Sequence, residues 1–430
     1  MRWFLDALYL LVVLVVGPFW IVRRLWRRRP MPPLSARLGW IAALPPHQRR
    51  IWVHGVSVGE VLAARGLVAA LRTQGFDVLV SSTTVAGLET ACQHFGTEHV
   101  RAAPLDFSGS VRRFLRRVRP QALVLMELEL WPNTLLACAA AKVPVLLANG
   151  RLSERSLTGW RRVTRFWPQI LDGVRVFAVQ SEAHAQRFQS LGLAAERIAV
   201  CGNLKFDNAA LRQREPLRSE QRARLGIPDS ALVVVAGSTH AGEEEILLQA
   251  IAAARRNFAD LRLILAPRHL ERLPEVLAAA RAGSRVGLLT RGSECRNTEV
   301  VVVDAMGALA ELYAAADLAF VGGSLVPVGG HNLLEPAAFG IPILTGPHIG
   351  SVQALGDELV LEGAMCVMEL SSASECEKMI HRILQQPDSG RRACAGAARV
   401  FAAHSGSLPR TMKAMAATFA ALTKEPVRHG

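Results

Sequence analysis

The sequence predicts an α/β protein of two doubly wound, parallel-sheet domains behind an N-terminal membrane helix. Three observations carry this. Short apolar strands alternate with helical stretches twice, on either side of a polar segment. A 19-residue apolar run opens the chain. The loops after the strands hold the glycines, carboxylates and isolated basic residues. With 430 residues, half of them hydrophobic and a fifth charged, the chain is long enough for two domains with large cores.

Phe4 to Val22 is apolar except for Asp6, close to the roughly 20 residues a spanning helix needs. RRLWRRRP follows instead of a small-residue cleavage site, so the run reads as an anchor and not a signal peptide. Arg23, Arg24, Arg27, Arg28 and Arg29 should stay cytoplasmic, so that the rest of the chain faces the cytoplasm. Asp6 and Gly17-Pro18 leave open a helix that only dips into the bilayer. The formal charge is +14, with further arginine runs at 112–119 and 151–165. Such runs suit nucleic acid, an anionic membrane or phosphorylated lipid, or simply a solvated face; tethering favours the lipid over nucleic acid. Cys92, Cys138, Cys201, Cys295, Cys366, Cys376 and Cys394 show no CxxC or CxxH spacing, which points to reduced thiols.

After a proline-rich connector, Ile51 to His54 reads as a strand, and GVSVGE turns it into a helix through Leu71. Val78 to Ser81, Ala122 to Met126, Pro144 to Ala148 and Val174 to Val179 are the following strands. Glu60 opens the first helix, either as a general base or as a complement to the helix dipole. Glu127 and Glu129 in MELELWPN end a buried strand, on one face, where leucine would be cheaper. CGNLKFD sets Lys205 and Asp207 just after another strand, while Ser81, Ser82 and Thr83 read as an ordinary helix cap. Residues 211–219 lack apolar periodicity and are assigned as the linker between domains at 31–210 and 220–395, with 1–30 the anchor and its basic flank.

In the second domain, Val233 to Ala236 leads into GSTHAGEEE, whose three glutamates suit a helix N-terminus. Leu261 to Ala266 leads into PRHLER, where Arg268 at a strand end suits a phosphate or carboxylate. Val300 to Val303 leads into DAMGALAEL, where Met306-Gly307 opens a helix able to offer N–H groups to a phosphate. Next comes FVGGSLVPVGGHNLLEPAAFGIPILTGPHIG: strand, glycine loop, helix from about Asn332, strand from Ile341. Glycines let the main chain approach an anion closely. Glu335 can hold ribose hydroxyls, or can serve as the N3 partner of Asn332 in a capping box. Residues 396–430 read as alanine-rich helices, broken near Ser405 to Pro409, with the option of packing back on the first domain.

WVHGVSVGE, MELELWPN, GNLKFD, GSTHAGEEE, APRH, DAMG and GGSLVPVGGHNLLEPAAFGIPILTGPH stand in that order behind the anchor. Together they resemble the 3-deoxy-D-manno-octulosonic acid (Kdo) transferases of bacterial lipopolysaccharide inner-core assembly. The resemblance implies a GT-B glycosyltransferase, two Rossmann-like domains facing a cleft, acceptor on the first and nucleotide sugar on the second. It implies CMP-Kdo as donor, lipid IVA as acceptor, the inner membrane as location, and neither a cofactor nor an obligate protein partner. The family's catalytic base falls on Glu60 and its transition-state support on Glu129 and Lys205. CMP contacts fall on Pro267 and Arg268, on Met306, Gly307 and Ala308, and on Asn332, Leu333, Leu334 and Glu335. Ala308 replaces the family's usual polar residue, which leaves only a main-chain contact there. Glu60 would deprotonate an acceptor hydroxyl as it attacks the anomeric carbon, with CMP leaving from the opposite face and inversion as the result. Lys205, Arg268 and the N–H groups at Gly307 would stabilise the developing charge. No DxD sequence occurs, so no metal dependence is expected. The rival readings are a GT-B enzyme using a UDP- or GDP-sugar, a sugar-nucleotide epimerase, and a tethered nucleic-acid or lipid-binding protein without catalysis.

Overall fold

A computed structural model describes residues 5–7, 9–11, 32–45, 47, 49–208, 214–350, 352–386 and 388–424. The chain divides into two compact units, Met1–Asn208 with His404–Gly430, and Ala209–Ala403.

The first unit carries strands β1 (Arg50–His54), β2 (Asp77–Ser82), β3 (Val100–Ala102), β4 (Ala122–Met126), β5 (Val145–Gly150), β6 (Val174–Val179) and β7 (Ile198–Val200). Their order is β3-β2-β1-β4-β5-β6-β7, with every neighbouring pair parallel. Every residue of β1 and β4 is buried, so β4 and the Ile51–Val53 centre of β1 read as apolar runs without alternation. Strand order reverses between β1 and β4, and a doubly wound sheet opens its ligand crevice at the C-terminal ends of such a pair. Helix Ser108–Val118 shows how one face is covered: Val111, Phe114, Leu115 and Val118 point into the core, and the arginines between them face outward. Helix Ser407–Lys424 adds Met415 and Phe419 to the opposite core, with the Phe419 ring 5.5 Å from that of Phe76. The Asp207 carboxylate accepts the N–H groups of Gly406 and Leu408 where that helix begins.

The second unit carries β8 (Val233–Thr239), β9 (Arg262–Pro267), β10 (Val286–Leu288), β11 (Val300–Val302), β12 (Leu318–Val321), β13 (Ile343–Thr345) and β14 (Met365–Val367). Their order is β10-β11-β9-β8-β12-β13-β14, again all parallel. The reversal here lies between β8 and β12.

Two segments differ from the sequence-based expectation. Residues 214–219, assigned to the linker, form the first half of helix Arg214–Leu225. The polarity that suggested a linker belongs to arginines with a tertiary job: Arg218 and Arg222 both pair with Asp317, at 3.0 and 2.7 Å. Arg222 is fully buried and also donates to the carbonyls of Ala315, Pro228, Asp229 and Ala231. The second concerns the anchor. Residues 12–22 of the apolar run and its five flanking arginines lie outside the described residues, and no helix among the described residues is long and apolar enough to cross a membrane. Asp6, which interrupts the run, accepts the Ser108 N–H (2.9 Å) at the start of helix Ser108–Val118 and the Asn133 carboxamide (3.0 Å).

Candidate functional site

In the first unit, the loops after β1 and β4 and the short helix Leu204–Asn208 bring together four charged residues. Ser57 caps helix Val58–Ala63 by accepting the Glu60 N–H (3.3 Å), and the Glu60 carboxylate accepts the Val56 N–H (2.8 Å) and the Ser57 hydroxyl (2.9 Å). This varies the capping box: the reciprocal bond from the Glu60 carboxylate goes to the N–H of Val56, one residue before the Ser57 cap, and to the Ser57 hydroxyl. Ser82 and Thr84 brace it by donating to the Val56 carbonyl at 2.8 and 3.0 Å. Glu60 is buried, and that burial raises its carboxyl above the usual range, opposed by the bonds from Val56 and Ser57.

Glu127 and Glu129 do not share a strand face, because β4 stops at Met126. Glu127 takes the left-handed region (φ 54°) and starts a turn. The Glu127 carboxylate pairs with the Lys205 ammonium at 2.8 Å. Asn149, also left-handed (φ 56°) at the end of β5, accepts the Leu204 N–H (2.9 Å) and so sets the helix that carries Lys205. Glu129 accepts the Trp131 indole N–H at 2.7 Å; burial first, then the charges of Glu60 and Glu127, push its carboxyl up to about 7. The structure thus gathers Glu60, Glu129 and Lys205, and adds Glu127 as the partner of Lys205. A cavity of about 120 Å³ lined by Arg37, Trp52, His54, Asp106 and Trp131 lies in the same unit.

In the second unit, Pro267-Arg268, Met306–Ala308 and Asn332–Glu335 follow β9, β11 and β12, on one edge of the sheet. Arg268 is exposed; its N–H donates to the Thr239 carbonyl (2.9 Å), and among the described residues its guanidinium has no ion-pair partner. Met306-Gly307 does not open a long helix: Gly307 (φ 84°) turns the chain into the four-residue helix Leu309–Leu312. The helix expected from Asn332 spans only Leu334–Ala337. Asn332 accepts the Leu334 N–H (3.1 Å) and donates to Glu335 (2.9 Å), so both residues serve the turn, though neither as a full capping box. Leu333 and Leu334 are buried, which leaves only their main chain for a ligand.

The glycine loop overturns a larger expectation. Its N–H groups at Gly323, Ser324 and Leu325 are taken by the fully buried Glu243 carboxylate at 2.8–2.9 Å, which also accepts the His240 N–H. Gly329 and Gly330 donate to the Gly323 carbonyl, and Gly322 to that of Gly237. The chain supplies its own anion to this nest. Glu244, equally buried, takes Arg272 (2.8 Å) and the Thr239 hydroxyl (3.0 Å).

Sequence reasoning missed the histidines of this edge. The Nε2 atoms of His240 and His331 lie 2.8 Å apart, and the His269 ring stands edge-on to His240 at 5.5 Å. Burial, then the Arg268 cation and the neighbouring imidazoles, hold His331 down at about 4. The available signal was positional: STH and PRH put a histidine just after β8 and β9, and GGH puts one at the end of the glycine loop that follows β12.

A family model described as 3-Deoxy-D-manno-octulosonic-acid transferase (kdotransferase) matches residues 33–208. The chain is 32% identical over 425 residues to the 3-deoxy-D-manno-octulosonic acid transferase of Haemophilus influenzae, covering 96% of this chain and 97% of that one. To the Bordetella pertussis protein of the same name it is 33% identical over 380 residues, 85% and 86% of the two chains. In fold alone it is similar to a glycosyltransferase from Rickettsia africae, with a TM-score of 0.56 at 13% identity over 89% of this chain and 100% of that one. UDP-GlcNAc 2-epimerase from Neisseria meningitidis is similar to the same degree, with a TM-score of 0.56 at 12% identity over 87% and 100%. With two parallel-sheet units of this type and identity sustained along nearly its whole length, the chain belongs to the 3-deoxy-D-manno-octulosonic acid transferase family.

Proposed function

We propose that the protein transfers Kdo from CMP-Kdo to lipid IVA, with inversion, without a metal ion, and with Glu60 as general base. The observation that carries this is the grouping of Glu60, Glu127, Glu129 and Lys205 where the first sheet reverses its strand order. Three carboxylates against one ammonium is an unfavourable way to stabilise a fold, and such clusters accumulate where chemistry needs them.

Each Glu60 oxygen has one donor from the protein, Val56 N–H or Ser57 hydroxyl, and keeps a lone pair for the proton of a sugar hydroxyl. Those donors favour the carboxylate form. Glu129, whose charge is supported by the Trp131 indole, is pushed up to about 7, chiefly by burial. Environments that push neighbouring carboxyls apart in this way separate an acid from a base. Lys205, held by Glu127, supplies positive charge beside the carboxyl cluster. On the second unit, the unpaired Arg268 guanidinium suits the nucleotide phosphate or the sugar carboxylate. Met306–Ala308 and Asn332–Glu335 offer main-chain groups and one carboxylate to the nucleoside. The apolar run from Phe4 to Val22 would hold the enzyme at the inner membrane, beside a lipid acceptor.

The test is incubation with CMP-Kdo and lipid IVA, with and without chelator, followed by mass measurement of the lipid. Kdo addition unaffected by chelator is expected, as is thermal stabilisation by CMP but not by UMP or GDP. Stabilisation by UMP or GDP with no Kdo transfer would move the protein to another donor.

A further inference from the structure

Three histidines without a part in the reaction above meet where the second sheet reverses its strand order. His240 follows β8, His331 closes the glycine loop after β12, and His269 follows Arg268 after β9. The His240 and His331 ring planes differ by only 6°, their centroids are 5.0 Å apart, and their Nε2 atoms are 2.8 Å apart. A centroid spacing so much longer than the nitrogen spacing means that the rings meet head-on and not face to face. One Nε2–H donates and the other Nε2 accepts, so the two rings share one proton between their facing nitrogens.

The loop is shaped around this contact. Gly323 (φ 67°) has no Cβ, and one added there would lie 2.9 Å from the His331 ring. Gly329 and Gly330 (φ 107° and 81°) fold the chain back to the Gly323 carbonyl just before His331. Glu243 then fixes the other end of the same loop through three N–H groups.

The charges around the pair are lopsided. Arg268 and His269 act on both rings. Glu243 and Glu244 act on His240, but Glu243 is committed to four N–H groups and Glu244 to Arg272 and Thr239. Burial, with the Arg268 cation, holds His331 at about 4 and lowers His240, so the unliganded pair is neutral near pH 7. An anion beside Arg268 would reverse that balance. A second proton would then enter on the free Nδ1 of the ring that donates, giving an imidazolium–imidazole pair with a charge-assisted internal bond and an N–H on both Nδ1 atoms.

We propose that His240 and His331 form a proton-sharing pair which, with Arg268, receives an anionic group of the sugar nucleotide and takes one proton from solvent as that group binds. This rests on the donor-binding reading above. The group is an oxyanion, either the nucleotide phosphate or the sugar carboxylate.

The full chain is titrated calorimetrically with CMP, and separately with free Kdo, between pH 6 and 8 in two buffers of different ionisation enthalpy. Wild type is expected to take up close to one more proton than His331→Gln or His240→Gln, and the ratio of its Kd to theirs should rise by up to about tenfold per pH unit. The CMP phosphate titrates identically in all three proteins, so only the difference between them counts, and the Kdo carboxylate does not titrate in this range. Extra uptake with CMP assigns the phosphate; extra uptake with Kdo assigns the carboxylate. Binding with the same proton count in wild type and both variants overturns the pair alone. Failure of both probes to bind overturns the donor reading together with it. Either variant removes the shared proton, so loss of one to misfolding leaves the other to decide.

Discussion

Replacing Glu129 by glutamine should stabilise the first unit while removing most activity. The carboxyl moves from an ordinary 4.5 to about 7 on folding, chiefly through burial. That change of roughly 2.5 pH units, at 1.36 kcal/mol each, caps the cost of keeping Glu129 ionised at about 3.4 kcal/mol. The side chain is partly exposed and screened by solvent, so about 2 kcal/mol is expected. The sign follows from the direction of the shift. Below pH 4.5 both folded and unfolded chains hold the proton and no cost exists. Between 4.5 and 7 stability falls as pH rises, and above 7 the cost is constant. Glutamine keeps an oxygen for the Trp131 indole (2.7 Å) and removes the repulsion from Glu60 and Glu127. Urea denaturation should therefore show Glu129→Gln more stable by about 2 kcal/mol at pH 8 and by under about 1 kcal/mol at pH 5. Kdo transfer at pH 8 should fall by at least about 100-fold. Equal stability differences at the two pH values, or destabilisation at pH 8, would show that ionisation of Glu129 is not what the fold is opposing.

Glu60→Gln retains an acceptor for the Val56 N–H, so unfolding should shift by under about 1 kcal/mol while transfer drops by about 100-fold or more, with CMP affinity unchanged in calorimetry. Glu243→Gln puts an NH₂ group against N–H donors that now face a carboxylate, which should cost the second unit about 3–5 kcal/mol in urea denaturation and loosen the glycine loop to hydrogen exchange. Arg268→Ala removes an exposed side chain with no ion pair among the described residues. Melting should move little, while CMP or CMP-Kdo binding weakens by about 10–100-fold.

The central strands of both sheets were readable because they are buried on both faces and so carry apolar runs without alternation, as β4 and the Ile51–Val53 centre of β1 do. Among the three-residue strands, β11 and β13 sit in apolar runs and were readable, whereas β10 (VGL) and β14 (MCV) were not, since so short a segment carries no periodicity and owes its pairing to neighbours distant in sequence. Helix Arg214–Leu225 was hidden for a related reason: Asp317, the residue that makes its arginines structural, lies about a hundred positions away. Glu60 and Lys205 were legible from their places in strand-end loops. The relation between Glu127 and Glu129 was not, because alternation along a strand says nothing once Glu127 turns left-handed.

The glycine loop shows where local pattern and tertiary structure part company. Glycine pairs after a strand do mark a main chain bent tightly enough to gather N–H groups, and that inference holds for Gly322 to Leu325. It does not identify the anion. Glu243, eighty residues earlier in sequence, is buried with no counter-cation at its oxygens among the described residues, and those N–H groups are what sustain its charge there. A phosphate arriving at the same donors would have to expel a carboxylate with nowhere to go, at a cost of several kcal/mol before any contact was gained. On the donor-binding reading proposed above, anion recognition on this edge would fall instead to the Arg268 guanidinium and to the His240–His331 pair whose position the glycines make possible.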